Sequence, residues 1–275
     1  VTGSLRVVAA RRGTRTAIET LRQEGLARCS RPLRVPADPD AVRLVVSQLG
    51  PGFVRGDRFE TDVDVGDDAS LVLAAQSATR ILGRGLPSTF AARYRVGRNA
   101  RLVLAGEPTI GYAGATHRSV VRVDLADGAS FASVDAFAPH EAFARVSSSL
   151  RVEIDGRLAL HDVLVLAPET IRTALGTAFY LRAGIAADDT DALVALADEA
   201  ARRASASGAM RVGVGSPAAG GIALRAVGAH VRDVRDALAA IVDLVRDRDR
   251  RVPRSFATYV AVSTSSSHVS RPRLA

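Results

Sequence analysis

The chain has 275 residues, 47% of them apolar, and a formal charge of +8, which is enough apolar sequence for one large buried core or two small ones. No apolar run approaches the roughly 18 residues of a spanning helix, so a membrane-spanning helix is excluded. The charge does not single out nucleic acid, because every basic side chain is an arginine spread along the chain and aromatic stacking platforms are only 4% of residues.

The apolar stretch Val7–Ala10 is too short for the core of a secretion signal. The single cysteine, Cys29, precludes an internal disulfide and fits a reducing compartment. A cytoplasmic location is the expectation.

From residue 4 to 166 the chain reads as almost pure β structure. In Leu49-Gly50-Pro51-Gly52-Phe53-Val54-Arg55-Gly56-Asp57-Arg58-Phe59, Gly50, Gly52 and Gly56 with Pro51 impose a special backbone path between two β segments. Asp57 is expected at an exposed strand entry, placed for contact. An internal repeat follows. Val63–Leu73 is echoed by Tyr94–Leu104 and Val121–Phe131, and the equivalent residues Ala69, Ala100 and Ala129 lie 31 and then 29 residues apart. Each copy is an alternating strand, a Gly/Asp/Asn turn and an apolar strand, which reads as a hairpin. A fourth hairpin spans Val152–Leu160 around Asp155-Gly156. Hairpins recurring near this spacing cannot bury both faces alone, so they should stack into layered or β-helix-like sheets.

Residues 167–262 read as a mixed α/β part of the same single domain, 1–262. Thr190 can cap a helix with the apolar face Leu193, Leu196, Ala197 and Ala200, ending near Ser207-Gly208. Ala209 to Val227 reads as strands around Gly215-Ser216-Pro217. A second helix, His230 to Arg246, carries the stripe Val231, Val234, Leu238, Ile241, Val242 and Val245 opposite Arg232, Asp233, Arg235, Asp236 and Asp243. The fold class is therefore mainly β, with two α-helices in the C-terminal third. Residues 263–275, rich in serine and arginine, are expected to form a disordered tail.

Catalytic signatures are scarce. There is no nucleophile elbow, Walker loop or His-Glu-x-x-His motif. The histidines are isolated in sequence. His161, with Asp162 or Glu141, could be part of the acid/base site of a hydrolase, or His161-Asp162 could simply be polar residues at a strand edge.

The glycine-rich segment is similar to the signature "GG-x-V-x-G-D-x-L" of urease accessory proteins of the UreD (UreH) type. Ala74-Ala75-Gln76-Ser77-Ala78-Thr79-Arg80 stands where that family has "T-T-Q-A-A-T-K", and Glu107-Pro108-Thr109-Ile110 where it has "P-Q/E-P-T-I". Asp135-Ala136, Ser149–Leu158 leading to Asp162, and Val252-Pro253-Arg254-Ser255-Phe256 continue the resemblance, which is collinear over about residues 45 to 257. Arg55 stands where the family commonly has glycine, the loop Ala138–Glu141 is short, and the family's tryptophans are missing.

The resemblance implies a non-enzymatic urease maturation scaffold. Its partners would be a UreF-like helical accessory protein, a UreG-like GTPase and the urease apoprotein, with no nucleic acid and no membrane. It implies no tightly bound cofactor, only nickel in transit through an internal passage. A His/Cys cluster would trap nickel, whereas transit needs weak, sequential oxygen ligands. Asp57, Glu107, Asp135 and Asp162 are candidates, with Gln76, Ser77 and Thr79 as neutral donors. Val231, Val234, Arg235, Leu238, Ile241 and Arg254 are candidates for docking the helical partner, unless the stripe packs on the sheet instead.

Overall fold

The computed structural model describes residues 2–36, 38–139, 142–169, 171–217 and 220–249. The chain opens with β1 (Thr2–Arg12), β2 (Arg15–Gly25), β3 (Ala27–Cys29), β4 (Leu33–Val35) and β5 (Asp38–Gln48). It then alternates through β6 (Arg58–Val65), β7 (Ser70–Ala75), β8 (Thr79–Ile81), β9 (Ser88–Val96), β10 (Arg101–Ala105) and β11 (Thr109–Gly111). The body closes with β12 (Thr116–Leu125), β13 (Ser130–Pro139), β14 (Arg145–Ile154), β15 (Arg157–Leu166) and β16 (Ala174–Arg182). Last come α1 (Ala187–Ser205), β17 (Met210–Gly215), β18 (Ile222–Gly228) and α2 (Val231–Arg248).

Two sheets face each other. The first has the order β15-β14-β12-β9-β6-β1-β2, and the main path of the second is β17-β18-β16-β13-β10-β7-β5-β3. This is the layered, β-helix-like body with two C-terminal helices that the repeat spacing calls for.

The repeat copies differ from hairpins in one respect. Their two arms enter different sheets: β6, β9 and β12 pair in parallel in the first, while β7, β10 and β13 do so in the second. Burial explains this. The first arm alternates, as a strand covered on one face does, whereas Ser70–Ala74 are buried without a break, as in parallel strands covered on both faces. A single hairpin sheet could not cover the second arm twice. Of the four hairpins expected from the sequence, only β14 and β15 form a true one, with positive φ at Asp155 and Gly156.

The arms are joined by tight turns in which the N–H of Ala69, Ala100 and Ala129 donates to the carbonyl of Gly66, Gly97 and Ala126, each at 3.1 Å. The residue before each alanine, Asp68, Asn99 or Gly128, is left-handed, a conformation that these residue types tolerate. Successive turns are stitched by the Asp68 N–H to the Arg98 carbonyl and the Asn99 N–H to the Asp127 carbonyl. The alanines are fully buried at the closed end of the sandwich.

The helices cover the outer face of the second sheet, where Leu193, Ala197, Val234, Leu238 and Val242 pack on Val103, Val134, Ala178 and Leu224. Thr190 is not the cap. α1 starts three residues earlier, with Asp188 and Asp189 at the positive end of its dipole, and the Thr190 hydroxyl donates back to the Ala186 carbonyl. In α2, Arg235 and Asp243 are buried and not part of a solvent face, because the helix is covered on a broader front than its apolar stripe alone. No helix among the described residues is long and apolar enough to cross a membrane. Arg254, the Val252–Phe256 motif and residues 263–275 lie outside the described residues.

Candidate functional site: the cavity between the sheets

The space between the sheets changes character along the strands. At the turn end it is filled by Val63, Val96, Leu125, Leu71, Leu102 and Phe131. Two residues further from the turns, Thr61 of β6 follows Val63 inward, and Ser133 of β13 follows Phe131. Further still the inward positions are Ser119 and Ser148 in the first sheet and Asp135 and Thr177 in the second. Small polar side chains cannot fill the gap that leucine and phenylalanine fill, and a cavity of about 490 Å³ remains. It is large enough for several waters.

Phe53 and the glycine segment form part of the wall. Gly50, Pro51, Gly52 and Phe53 all line the cavity. Gly52 has φ +132°, and a Cβ there would fall on the Arg80 carbonyl, so only glycine lets this loop lie against the next rung. The Phe53 N–H donates to that carbonyl at 2.7 Å, and its ring meets His117 at a centroid separation of 5.0 Å. The three-glycine segment thus does impose a special path, with positive φ at Gly50, Gly52 and Gly56.

The cavity gathers most of the sequence-derived metal candidates. Glu107, Asp135, Asp162, Ser77 and Thr79 all line it; Gln76 and Asp57 do not. Asp57 is a correction, because it is buried, only 2% exposed, and not presented for contact. Its carboxylate accepts the Val54 N–H at 2.9 Å and so closes the turn that the glycines open. Gln76 is exposed, its N–H donating to the Val46 carbonyl.

The three lining carboxylates differ in their partners. Glu107 is held by Arg235 of α2 at 2.7 Å, and Asp162 by Arg225 of β18. Among the described residues Asp135 accepts only the N–H of Ala136, at 2.8 Å, and no arginine pairs with it. Its side chain is exposed to the cavity space, and the walls that enclose it desolvate the carboxyl and push its pKa up to about 6. Asp135 is therefore the uncompensated carboxyl of the cavity, beside Ser133 on its own strand and opposite Thr177.

Sequence reading missed His117, Ser119, Ser133, Ser148 and Thr177. The signal was a polar residue at an inward position of an alternating strand. His117 bonds the Ser88 hydroxyl through Nδ1 at 2.9 Å, and burial lowers its pKa to about 4, so the ring is neutral. Among the described residues no three of His, Cys, Asp and Glu converge as a metal-holding group. Cys29 is half-buried, and burial raises its thiol to about 11, against any role as a thiolate.

The acid/base alternative at His161 and Asp162 does not assemble. Neighbours on a strand face opposite ways, and His161 is exposed beside Ser149 while Asp162 faces the cavity. Glu141 lies outside the described residues. On α2, Val234, Leu238 and Ile241 are buried and Val231 half-buried in the helix–sheet cluster, so the stripe packs on the sheet.

Sequence comparison gives the same family as the motifs. The family profile described as UreD urease accessory protein matches residues 1–256. A urease accessory protein UreD of Sorangium cellulosum is 31% identical over 163 residues, covering 56% of this chain and 52% of that protein. One from an Anaeromyxobacter strain is 34% identical over 133 residues, or 46% of this chain and 45% of its own length. One from an Arthrobacter strain is 28% identical over 268 residues, 90% of both chains. The alignments thus span about half the length of the first two relatives and nearly all of the third.

Proposed function

This chain belongs to the UreD family of urease accessory proteins, and from that premise we propose that it carries nickel through the inter-sheet cavity toward the urease apoprotein, as a non-enzymatic scaffold. The observation that carries the reading is Asp135, an uncompensated carboxyl flanked by hydroxyls inside a cavity whose other carboxylates already have arginine partners.

Nickel here is cargo. A path for it needs donors that admit the ion and then release it, since a closed set of nitrogen and sulfur ligands would retain it. Asp135, with Ser133 and Thr177 on its own wall of the cavity and Ser119 and Ser148 on the facing wall, supplies one charge and several neutral oxygens. Deprotonated, Asp135 draws a divalent ion in; the surrounding hydroxyls replace part of its hydration without binding it tightly. Glu107 and Asp162, neutralised by Arg235 and Arg225, position the wall and add little net charge.

In this reading a UreF-like helical protein and a UreG-like GTPase supply the ion and its release, and this chain joins them to urease in the cytoplasm. The buried stripe of α2 leaves the exposed side of the helical layer for such a partner, with Asp233, Asp236 and Leu244 among its exposed residues.

The test is co-expression with a urease operon that lacks its own UreD-type gene. The intact chain should restore urease activity and nickel content, and Asp135→Asn should abolish most of both while the accessory complex still assembles. Full nickel loading with Asp135→Asn would overturn the passage.

A further inference from the structure

The two sheets have four ends, and three are protected against pairing with other chains. β2 exposes Arg15, Glu19, Arg22 and Glu24 along its length. β3 has three residues, and β17 has six and lies beside α1. Short or charged edges are how β proteins avoid unwanted strand addition.

β15 is neither short nor lined with charge from Leu160 onward, and the extra residue that bulges it, Ala159, lies at its turn end. It is ten residues long, reads Arg157-Leu-Ala-Leu-His-Asp-Val-Leu-Val-Leu166, and among the described strands pairs only with β14. Leu158, Val163 and Val165 are three of the eight exposed large apolar side chains among the described residues, and Val163 is 53% exposed. A long, apolar, unpaired edge is a template for another strand.

The outer face beside this edge is patterned in rows. Strand register places Arg93, Arg122, Arg151 and His161 on one row. The next row is Ala91, Val120, Ser149 and Val163, and the one after it Thr89, Arg118, Ser147 and Val165. Arg93 is paired with Asp124 and Arg151 with Glu153, but no ion pair or side-chain hydrogen bond of the described residues involves Arg122 or Arg118. A flat strip of small and apolar residues is therefore bounded on both sides by arginine, a layout of apolar centre and charged rim that suits a protein partner.

We propose that the edge of β15 is a docking site for an extended segment of a different protein, which adds to the first sheet as a further strand with a carboxylate beside His161 and apolar residues beside Val163 and Val165. Charge selects this occupant. A second copy of a chain with net charge +8 would bring more positive rows to the same seam, whereas an acidic strand completes the row that ends at His161. Nucleic acid fits less well, since the strip offers no aromatic side chain for stacking and Asp124 and Glu153 lie among the arginines. The backbone hydrogen bonds of strand addition supply affinity and the alternate side chains supply register. The inference rests on the chain working in a multi-protein urease assembly, and not on the passage of nickel.

The test measures amide hydrogen exchange across β15 in the full chain, alone and in the assembled complex with urease apoprotein and the two accessory partners. Alternate amides of β15 should exchange at least tenfold more slowly in the complex. Val163→Lys with Val165→Lys, at exposed positions that leave the fold intact, should weaken assembly at least tenfold, and so should Arg122→Glu. The Asp135→Asn chain should keep the β15 protection even if it carries no nickel, which separates this inference from the passage. Unchanged exchange in the complex overturns the proposal, as does wild-type assembly by the lysine variant. Protection that appears in the isolated chain as its concentration rises, with a dimer in sedimentation, also overturns it in favour of a second copy.

Discussion

Arg235 of α2 holds Glu107, on the loop after β10, at 2.7 Å, with side-chain exposures of 3% and 17%. One residue comes from the apolar-striped helix and the other from the cavity wall, so the helical layer and the site are a single electrostatic unit. Removing one partner of such a pair leaves a buried charge uncompensated, which costs roughly 3–5 kcal/mol, whereas replacing both by apolar groups is close to neutral. Arg235→Met should therefore lower unfolding free energy by about 3 kcal/mol in urea titration. Adding Glu107→Leu should recover most of the loss. Equal destabilisation in the single and double variants would show that Glu107 is not the partner that matters.

Asp135 sets a pH dependence with a definite sign. Burial raises its folded pKa from 3.8 to about 6, so the folded state binds its proton more tightly than the unfolded chain does. Stability is then highest below the unfolded value, falls as pH rises from about 4 to about 6, and stays lowered above that. A shift of this size corresponds to roughly 3 kcal/mol in a dry site; cavity water screens the charge, and about 1 kcal/mol is expected. Asp135→Asn should flatten this part of the stability curve and be the more stable protein at pH 7. The same proton competes with a cation, so nickel uptake by the wild-type chain should weaken below about pH 6 and lose that dependence in the variant.

The architecture was legible because the repeat is written in residues with strong local meaning. Asp68, Asn99 and Gly128 mark left-handed turn positions, and the alanines after them mark the closed end. The hairpin assignment failed on Leu71–Leu73 and Leu102–Leu104, since an apolar run says that a strand is buried on both faces but not which sheet covers it. At the site, the carboxylates near family motifs were visible, but their partners were not. Arg225 lies 63 residues after Asp162, and no local pattern pairs them. Asp57 looked like a contact residue because it follows glycines, and the turn it closes exists only once Val54 is folded back over it.

The glycines of that segment should not be equivalent. Gly50 has φ +96° with nothing near its missing Cβ, while Gly52 has φ +132° and its Cβ would fall on the Arg80 carbonyl. Gly50→Ala should cost about 1–2 kcal/mol from the left-handed backbone alone. Gly52→Ala adds a backbone clash and should cost more, about 3 kcal/mol, and displace Phe53 from the cavity wall. Thermal or urea unfolding of the two variants measures the difference, and equal losses would remove the close approach at Arg80 as the reason for glycine.

Transit and storage make opposite predictions for Arg225. Its guanidinium neutralises Asp162 at the cavity wall, and the two side chains are 48% and 21% exposed. Their pairing is worth no more than about 1 kcal/mol to folding, so Arg225→Ala should leave the fold intact. It should also free a second carboxylate to face the same space as Asp135. If the cavity passes nickel by holding it weakly, the variant should bind nickel several-fold more tightly in calorimetry and yet activate urease less, because the ion is slower to leave. If the cavity is a store, tighter binding should accompany undiminished activation. Nickel affinity unchanged from wild type would mean that Asp162 does not see the ion at all, and Asp135 would remain as the charged donor of the path.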